Sequence, residues 1–336
     1  MGYYVGCDVS LKESFLSIIN EEGKVIQEVF VATSCQEIGD YLRKTEFCFE
    51  KIGIERGQLS ISLCKGLSKQ GLPVICVDAR HMAAALSARI NKNDRNDARG
   101  IGQMMRAGLY KEVQIKSDDS CEQKVVLGSR RQLVNSRQQV MGTIRGLLKI
   151  YGISLGTKAK FFDKVRENIK GLEESVKISI ESLLSALEGI DTAIATLNGE
   201  MLNIVEKDED CKRLMSVPGV GPITAVTYKA AIDEAERFEK SQVVGAYLGL
   251  TPRQYASGEV DRHGRISKMG PQECRTMLYE AAQVFLLRTK GTSKLKKWGL
   301  KLMKKKGKKK AIVAVARKLA VIMHRMIVDK TEFCPA

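Results

Sequence analysis

Three histidines, one tryptophan and six prolines are all that the 336 residues hold of those types. His81, His263 and His324 stand far apart in the chain, which leaves little material for a histidine metal site or a Ser-His-Asp triad. The nine cysteines are odd in number and include no Cys-x-x-Cys pair, so neither a disulfide framework nor a zinc knuckle is indicated. They read as reduced thiols. The longest apolar runs stop well short of membrane-spanning length, as where Arg317 and Lys318 interrupt "AIVAVARKLAVIM". No transmembrane helix and no membrane partner are expected. The opening "YYVGCDVSL" is strand-like, without the basic and apolar stretches of a secretory leader, and the expected location is the cytoplasm. A Gly-rich P-loop is also missing, so no nucleotide cofactor is expected.

Positive charge is what the chain has in excess, with a formal net charge of +16. The excess is uneven: residues 1 to 60 carry ten acids against six bases, whereas "GTSKLKKWGLKLMKKKGKKK" (291 to 310) carries ten lysines and no acid. A lysine run can be a solvated segment, but an imbalance of this sign and size favours a nucleic-acid partner. The segment 294 to 310, with Lys304, Lys305, Lys306, Lys308, Lys309 and Lys310, is its densest part.

Three regions follow from the pattern. In residues 1–117, "YYVGCDVSL", "ESFLSIIN" and "VIQEVFVA" read as three strands, the last two joined by the hairpin turn "EEGK". Helical and strand-like segments then alternate: "SCQEIGDYLRKTE", "KIGIE", "GQLSISLCKGLSKQG", "PVICVDA", and finally the helical "RHMAAALSARI" and "DARGIGQMMRAG". Three antiparallel strands followed by alternating strands and helices is the order of a ribonuclease H-like fold. Residues 118–210 contain no proline and read as long helices. A heptad-like seam through Leu172, Val176, Ser179, Leu183, Ala186, Ile190, Ala193 and Leu197 predicts a helical hairpin or coiled coil serving as linker or oligomer contact, broken at "YGISLGTK". Residues 211–336 form a mainly helical third region. Within it "SVPGVGPITA" resembles a helix-hairpin-helix turn, where Gly219 and Gly221 would let the backbone approach a phosphate. A polar, Gly-containing loop and a final amphipathic helix complete the chain.

The acids of the first region converge when laid on that fold. Asp8 falls in the first strand, Glu55 at the end of the fourth, and Asp94 and Asp97 at the start of the last helix, where i, i+3 spacing puts both on one face. Four carboxylates brought to one sheet edge would repel one another unless a cation offsets the charge. Magnesium, which takes oxygen ligands and bridges carboxylates to phosphates, is the natural ion, and a pair of Mg²⁺ is expected. Lys92, Arg95 and Arg99 then read as neighbours of the substrate phosphate. Helix capping is the competing explanation for Asp94 or Asp97. Asp78, Asp118 and Asp119 are rival acids that nothing ties to that edge.

The stretches "GCDVS", "IGIERG", "NKNDRNDARG", "VPGVGPITA", "GLTPRQYASG" and "GRISKMG", in that order and over nearly the whole chain, resemble the DEDD transposases of insertion sequences. That family includes Piv-type DNA invertases and bridge-RNA-guided recombinases. The resemblance implies a RuvC-like N-terminal domain whose D-E-D-D set maps onto Asp8, Glu55, Asp94 and Asp97. Glu50 is the alternative acid, because "ERG" is one residue shorter here than in many relatives. It also implies a coiled-coil middle and a C-terminal transposase domain with a nucleophilic serine, which maps onto Ser257. Implied partners are donor and target DNA, a noncoding bridge RNA, and further copies of the chain as a dimer assembling to a tetramer with composite active sites. Such a protein would be nucleoid-associated when active. A serine hydroxyl needs help to lose its proton, and the carboxylate and magnesium cluster is the evident source. Arg253, Arg262, Arg265 and Lys268 are close enough in sequence to stabilise charge on the attacked phosphate or to grip its neighbours. Ser267 is the rival nucleophile, in a setting that reads as a helix cap.

Overall fold

The computed structural model describes residues 2–87, 93–156 and 160–335. The chain divides into two compact units, one ending at Lys116 and the other starting at Ser117. The first is built on a five-stranded sheet of order β3-β2-β1-β4-β5. β1 (Tyr3–Val9), β2 (Glu13–Asn20) and β3 (Val25–Ala32) are antiparallel neighbours, and β4 (Phe49–Glu55) and β5 (Val74–Val77) extend the sheet in parallel from β1. This is the sheet expected of a ribonuclease H-like domain.

Period-two alternation sorts the sheet's residues onto two faces. Val5 and Cys7 of β1, with Ile52 and Ile54 of β4, are buried with Ile38 and Leu42 of α1 (Cys35–Lys44) and Leu63 and Leu67 of α2 (Ser60–Lys69). Ser34 starts α1, its hydroxyl accepting from Glu37 N at 3.1 Å. α3 (Ala79–Leu86) follows β5, capped by Asp78, which accepts from the backbone of Arg80 and His81. α4 (Asp94–Ala107) covers the opposite face, burying Ile101 and Met105 with Val77 and Met82.

Two glycines set how closely α4 lies. A Cβ on Gly6 of β1 would stand 1.9 Å from the Ala98 carbonyl oxygen and 2.4 Å from Gly102 N, both helix backbone. One on Gly53 of β4 would meet the Met105 and Ile101 side chains at 2.6 and 2.8 Å. At Gly6 helix and strand are thus in backbone contact, a spacing open to glycine alone.

In the second unit α5 (Asp118–Lys149) packs on α7 (Glu174–Lys207), with α6 (Phe161–Ile169) between them in sequence. Helices of 32 and 34 residues span roughly 50 Å each at 1.5 Å per residue. Their distal ends share a small core of Ile144, Leu148, Val165, Ile169, Ile180 and Leu184. At the other end Leu127, Met201 and Val205 belong to one core with α8 (Glu209–Met215), α9 (Pro222–Ile232), α10 (Val244–Tyr247), α11 (Gln272–Leu287) and α13 (Lys308–Asp329). The long helices therefore share a unit with the C-terminal segment.

Two expectations change here. The buried stripe of α7 runs through Ile180, Leu184, Leu187, Met201 and Val205, rotated from the expected seam, and Ser179 and Ala186 are exposed. Small residues fit either side of an aliphatic stripe, so the sequence left its phase ambiguous by one position. The polar loop is instead a β-hairpin, β6 (Pro252–Ser257) with β7 (Val260–Ile266). Every residue of β6 is exposed, so no burial alternation marked it as a strand. The Lys-rich segment is helical, formed by α12 (Lys294–Lys306) and the start of α13, which turn at Gly307 with φ 85°.

Candidate active site

The direction of α4 decides what stands at each end of the sheet. Arg106, in its last turn, donates to the Glu21 carbonyl at 3.1 Å, and Gln103 to that of Gly23 at 2.6 Å, both in the β2–β3 turn beside the start of β1. Its first turn therefore lies toward the C-terminal ends of β1 and β4. Asp8 is two residues beyond Gly6 and Glu55 two beyond Gly53, so alternation gives both the face that α4 covers. The parallel register pairs Cys7 with Ile54, which makes Asp8 and Glu55 the next step on neighbouring strands. Asp8, Glu55 and Asp97 are half-buried and Asp94 is exposed.

Capping does not account for the aspartates of α4. Asn93 is the N-cap, its side chain accepting from Asn96 N at 2.8 Å. Asp94 and Asp97 occupy the first turn, where their charge also suits the helix dipole. Glu50 sits at the other end of β4, next to the Tyr3↔Phe49 and Tyr4↔Lys51 pairs, away from Asp8. Asp78 caps α3, while Asp118 and Asp119 open α5 in the other unit.

The structure brings together the elements that carry the four acids, but not an assembled ligand set. Among the described residues, no group of three or more His, Cys, Asp or Glu side chains is placed to hold a metal ion. The residues fit magnesium by donor chemistry, all of it carboxylate oxygen, rather than by finished geometry.

Arg95 and Arg99 both meet an acid of the sheet. Arg99 is gripped by Glu28 of β3 through Nε at 2.6 Å and a terminal guanidinium nitrogen at 2.8 Å, a two-pronged pair. Arg95 reaches the same carboxylate at 3.6 Å and lies over the Phe15 ring at 5.7 Å. Hydrogen bonding from Arg99 holds the Glu28 carboxyl below its usual range against the opposing effect of partial burial, with further attraction from Arg99 and Arg95. Sequence reasoning missed Glu28. The signal was the alternation in "VIQEVFVA", which puts Glu28 opposite the Val29 and Val31 face. Lys92 lies outside the described residues.

In the second unit Ser257 ends β6 and pairs with Val260 of β7, so Gly258 and Glu259 form a two-residue turn. Gly258 takes φ 55°, the left-handed conformation that such a turn needs at its first position. Ser257 is exposed, and among the described residues nothing hydrogen-bonds its hydroxyl. Arg253, Arg262, Arg265 and Lys268 are all exposed along or just after this hairpin, with Arg253 also donating to the Ser267 carbonyl at 3.4 Å. Ser267 does not cap a helix, since α11 begins at Gln272 after Pro271. Instead Ser267 N donates to Thr251 O at 2.8 Å, closing the base of the hairpin.

The two glycines of "VPGVGPITA" differ. A Cβ on Gly219 (φ 94°) would meet the α11 backbone, Ala281 O at 2.8 Å and Phe285 N at 3.1 Å, so close packing already accounts for it. Gly221 precedes Pro222 at the start of α9 and faces open space. Lys304, Lys305, Lys306, Lys308, Lys309 and Lys310 are all exposed around the α12–α13 turn.

A ribonuclease H-like sheet with acids at one end, joined to a basic helical unit, defines a class of enzymes acting on nucleic acid. Residues 5–153 match the DEDD family of IS110 type described as "Transposase", and residues 211–297 match the "Transposase IS116/IS110/IS902 family". The chain belongs to the IS110/IS116 family of DEDD transposases. It is similar to the transposase for insertion sequence element IS1111A of Coxiella burnetii, 29% identical over 98% of this chain and 90% of the relative. The transposase for insertion sequence element IS1328 of Yersinia enterocolitica is 26% identical over 72% of this chain and 74% of its own. The pilin gene-inverting protein of Moraxella bovis is 29% identical over 36% of this chain and 37% of its own, in keeping with the expected relation to DNA invertases. Among solved structures, T. thermophilus RuvC in complex with Holliday junction substrate aligns with 34% of this chain and 100% of its own, at 16% identity and TM-score 0.26. No helix among the described residues is long and apolar enough to cross a membrane.

Proposed function

We propose that the protein cuts and rejoins DNA at the ends of its own insertion sequence through a phosphoserine intermediate. The observation that carries this reading is the seating of α4 on Gly6 and Gly53, which sets Asp94 and Asp97 at the sheet end where Asp8 and Glu55 emerge. Asp8, Glu55, Asp94 and Asp97 are the residues that would hold Mg²⁺. Bound there, the ion would offset the gathered negative charge and polarise phosphate oxygens.

The remaining chemistry belongs to the chain. A carboxylate of the cluster takes the proton from Ser257 Oγ, which attacks a DNA phosphorus. One phosphodiester P–O bond breaks as the Ser257 Oγ–P bond forms, and the departing DNA oxygen becomes a hydroxyl. The energy of the broken link is kept in the protein–DNA ester, so a hydroxyl of another strand can reverse the step without a nucleotide cofactor. Arg253, Arg262, Arg265 and Lys268 supply positive charge along the hairpin that carries the nucleophile. Gly221, Lys92, Arg95 and the lysines around Gly307 bind backbone phosphates in this reading. Its support is the charge of the lysines and Arg95, the exposure of the lysines around Gly307, and the open space at Gly221 before α9.

The serine and the carboxylates lie in different units, which fits a composite site assembled from several copies, with the α5–α7 hairpin as the contact between them. Guidance by a bridge RNA rests on the resemblance to RNA-guided members of the family. Denaturing gels of protein incubated with RNA, magnesium and end-labelled donor DNA test the mechanism. A covalent adduct should form with the native chain and be absent with Ser257→Ala. Cleavage that persists in Ser257→Ala without an adduct would replace this reading with hydrolysis by water.

A further inference from the structure

The second unit contains a solvent-open groove of about 1740 Å³ between the β6–β7 hairpin and helices α12 and α13. Its floor is apolar, with Leu250, Ile266, Leu295, Val313 and Ile322 around Trp298. Arg265, Lys268, Lys294, Lys309, Lys310 and Arg317 also line it, and no acid does among the described residues. Trp298 is 39% exposed, and the Lys318 ammonium lies 4.7 Å from its ring centroid.

This pairing of surfaces narrows the occupant. Cations gathered without a counter-charge repel one another and attract a polyanion. An apolar floor beside a tryptophan is satisfied by a flat face with little hydration. Duplex DNA offers phosphates but keeps its base faces stacked inside. An unpaired strand offers both at once, phosphates at regular spacing and exposed base faces that stack on aromatic rings.

We propose that this groove holds unpaired nucleotides of the DNA substrate, with bases over the Trp298 floor and phosphates against the basic rim. The inference rests on the reading of the chain as a DNA transposase and adds the place on the second unit where unpaired nucleotides are held. The wall of the groove supplies the purpose. Pro252 and Ile266 pair at the base of the hairpin whose far end carries Ser257. A strand lying in the groove is therefore held beside the arm that bears the nucleophile, out of its duplex.

Trp298 is the sole tryptophan, so intrinsic fluorescence reports on this groove directly. The full chain, without added metal, is titrated with a twelve-nucleotide oligothymidylate, a blunt duplex of equal phosphate number and inorganic polyphosphate. Oligothymidylate should change Trp298 emission saturably, with an affinity at least tenfold tighter than the duplex. Polyphosphate should leave the emission unchanged. The exposed double variant Lys309→Glu, Lys310→Glu should weaken oligothymidylate binding at least tenfold with an unaltered circular dichroism spectrum. Ser257→Ala should titrate like the native chain, which separates this readout from failure of the covalent chemistry. The proposal is overturned if the duplex binds as tightly as the single strand, if oligouridylate binds and oligothymidylate does not, or if charge reversal leaves the affinity intact.

Discussion

Replacing Gly6 by alanine should separate α4 from the sheet. The new Cβ would lie 1.9 Å from the Ala98 carbonyl oxygen, and relief to an ordinary contact near 3.4 Å requires a withdrawal of about 1.5 Å. Neither side can give by rotating a side chain, because the obstacles at Ala98 and Gly102 are backbone and β1 is the central strand. Overpacking typically costs 1–3 kcal/mol, and a backbone obstacle places this case at the upper end, about 3 kcal/mol. For a unit of this size that corresponds to a fall of roughly 15 °C in melting temperature. Gly53→Ala is the internal control, since Met105 and Ile101 can shift their side chains and the cost should be nearer ~1 kcal/mol. Thermal melting of both variants gives the ranking, and adduct formation on donor DNA, at a temperature where both are folded, gives the consequence for the site. Gly6→Ala should lose most of its adduct because Asp94 and Asp97 move with the helix. An unchanged melting temperature with full activity would refute the claim that this backbone contact sets the helix.

Asp210 is a buried acid that hydrogen-bonds Arg213 at 2.7 Å, Lys229 at 2.6 Å and Lys330 at 3.2 Å. Burial opposes its charge, but hydrogen bonding and attraction from Lys229, then Lys330, prevail and hold its carboxyl below the usual range. A depressed carboxylate stabilises the fold above its unfolded pKa and loses that contribution as pH falls through its folded value. Asp210→Asn should therefore cost roughly 3 kcal/mol at neutral pH in urea unfolding, and the gap to the native chain should narrow below about pH 4. Asp233 accepts from Ser117 Oγ at 2.5 Å, Ser117 N at 3.1 Å and Ser120 Oγ at 2.6 Å while holding φ 65°. Asp233→Ala should destabilise by about 2–3 kcal/mol, and Asp233→Gly by about 1 kcal/mol less, because only glycine relieves the left-handed backbone. Glu28→Gln should leave the protein folded by circular dichroism yet lower adduct yield, and a yield equal to native would show that the Arg99 pair has no bearing on the site.

The first unit was legible because each of its signals is local. Alternation in β1 to β3, the turn at Gly23 and the break after Lys69 give the order of elements along the chain, and the ribonuclease H-like sheet matched to that order gives the ends where Asp8, Glu55, Asp94 and Asp97 fall. What could not be read depends on partners distant in sequence. Gly6 looks like any strand glycine until Ala98 is placed against it, and Glu28 looks like a surface acid until Arg99 arrives 71 residues later. The hairpin around Ser257 escaped because none of its first strand is buried, so the pattern that betrays a strand was never written. The stripe of α7 was legible as helical but not in phase, since Ala186 and Leu187 are both plausible until α5 and the end cores choose between them.

The grip of Glu28 on Arg99 has a consequence for how α4 can turn. Gln103 and Arg106 tie the last turns of α4 to the β2–β3 turn, which leaves its first turn, with both aspartates, the end most open to a sideways swing. The carboxylate of an outer strand, holding a guanidinium one turn further along, adds a restraint close to that first turn. Aim is thus braced from the rim of the sheet, by a residue with no part in the chemistry.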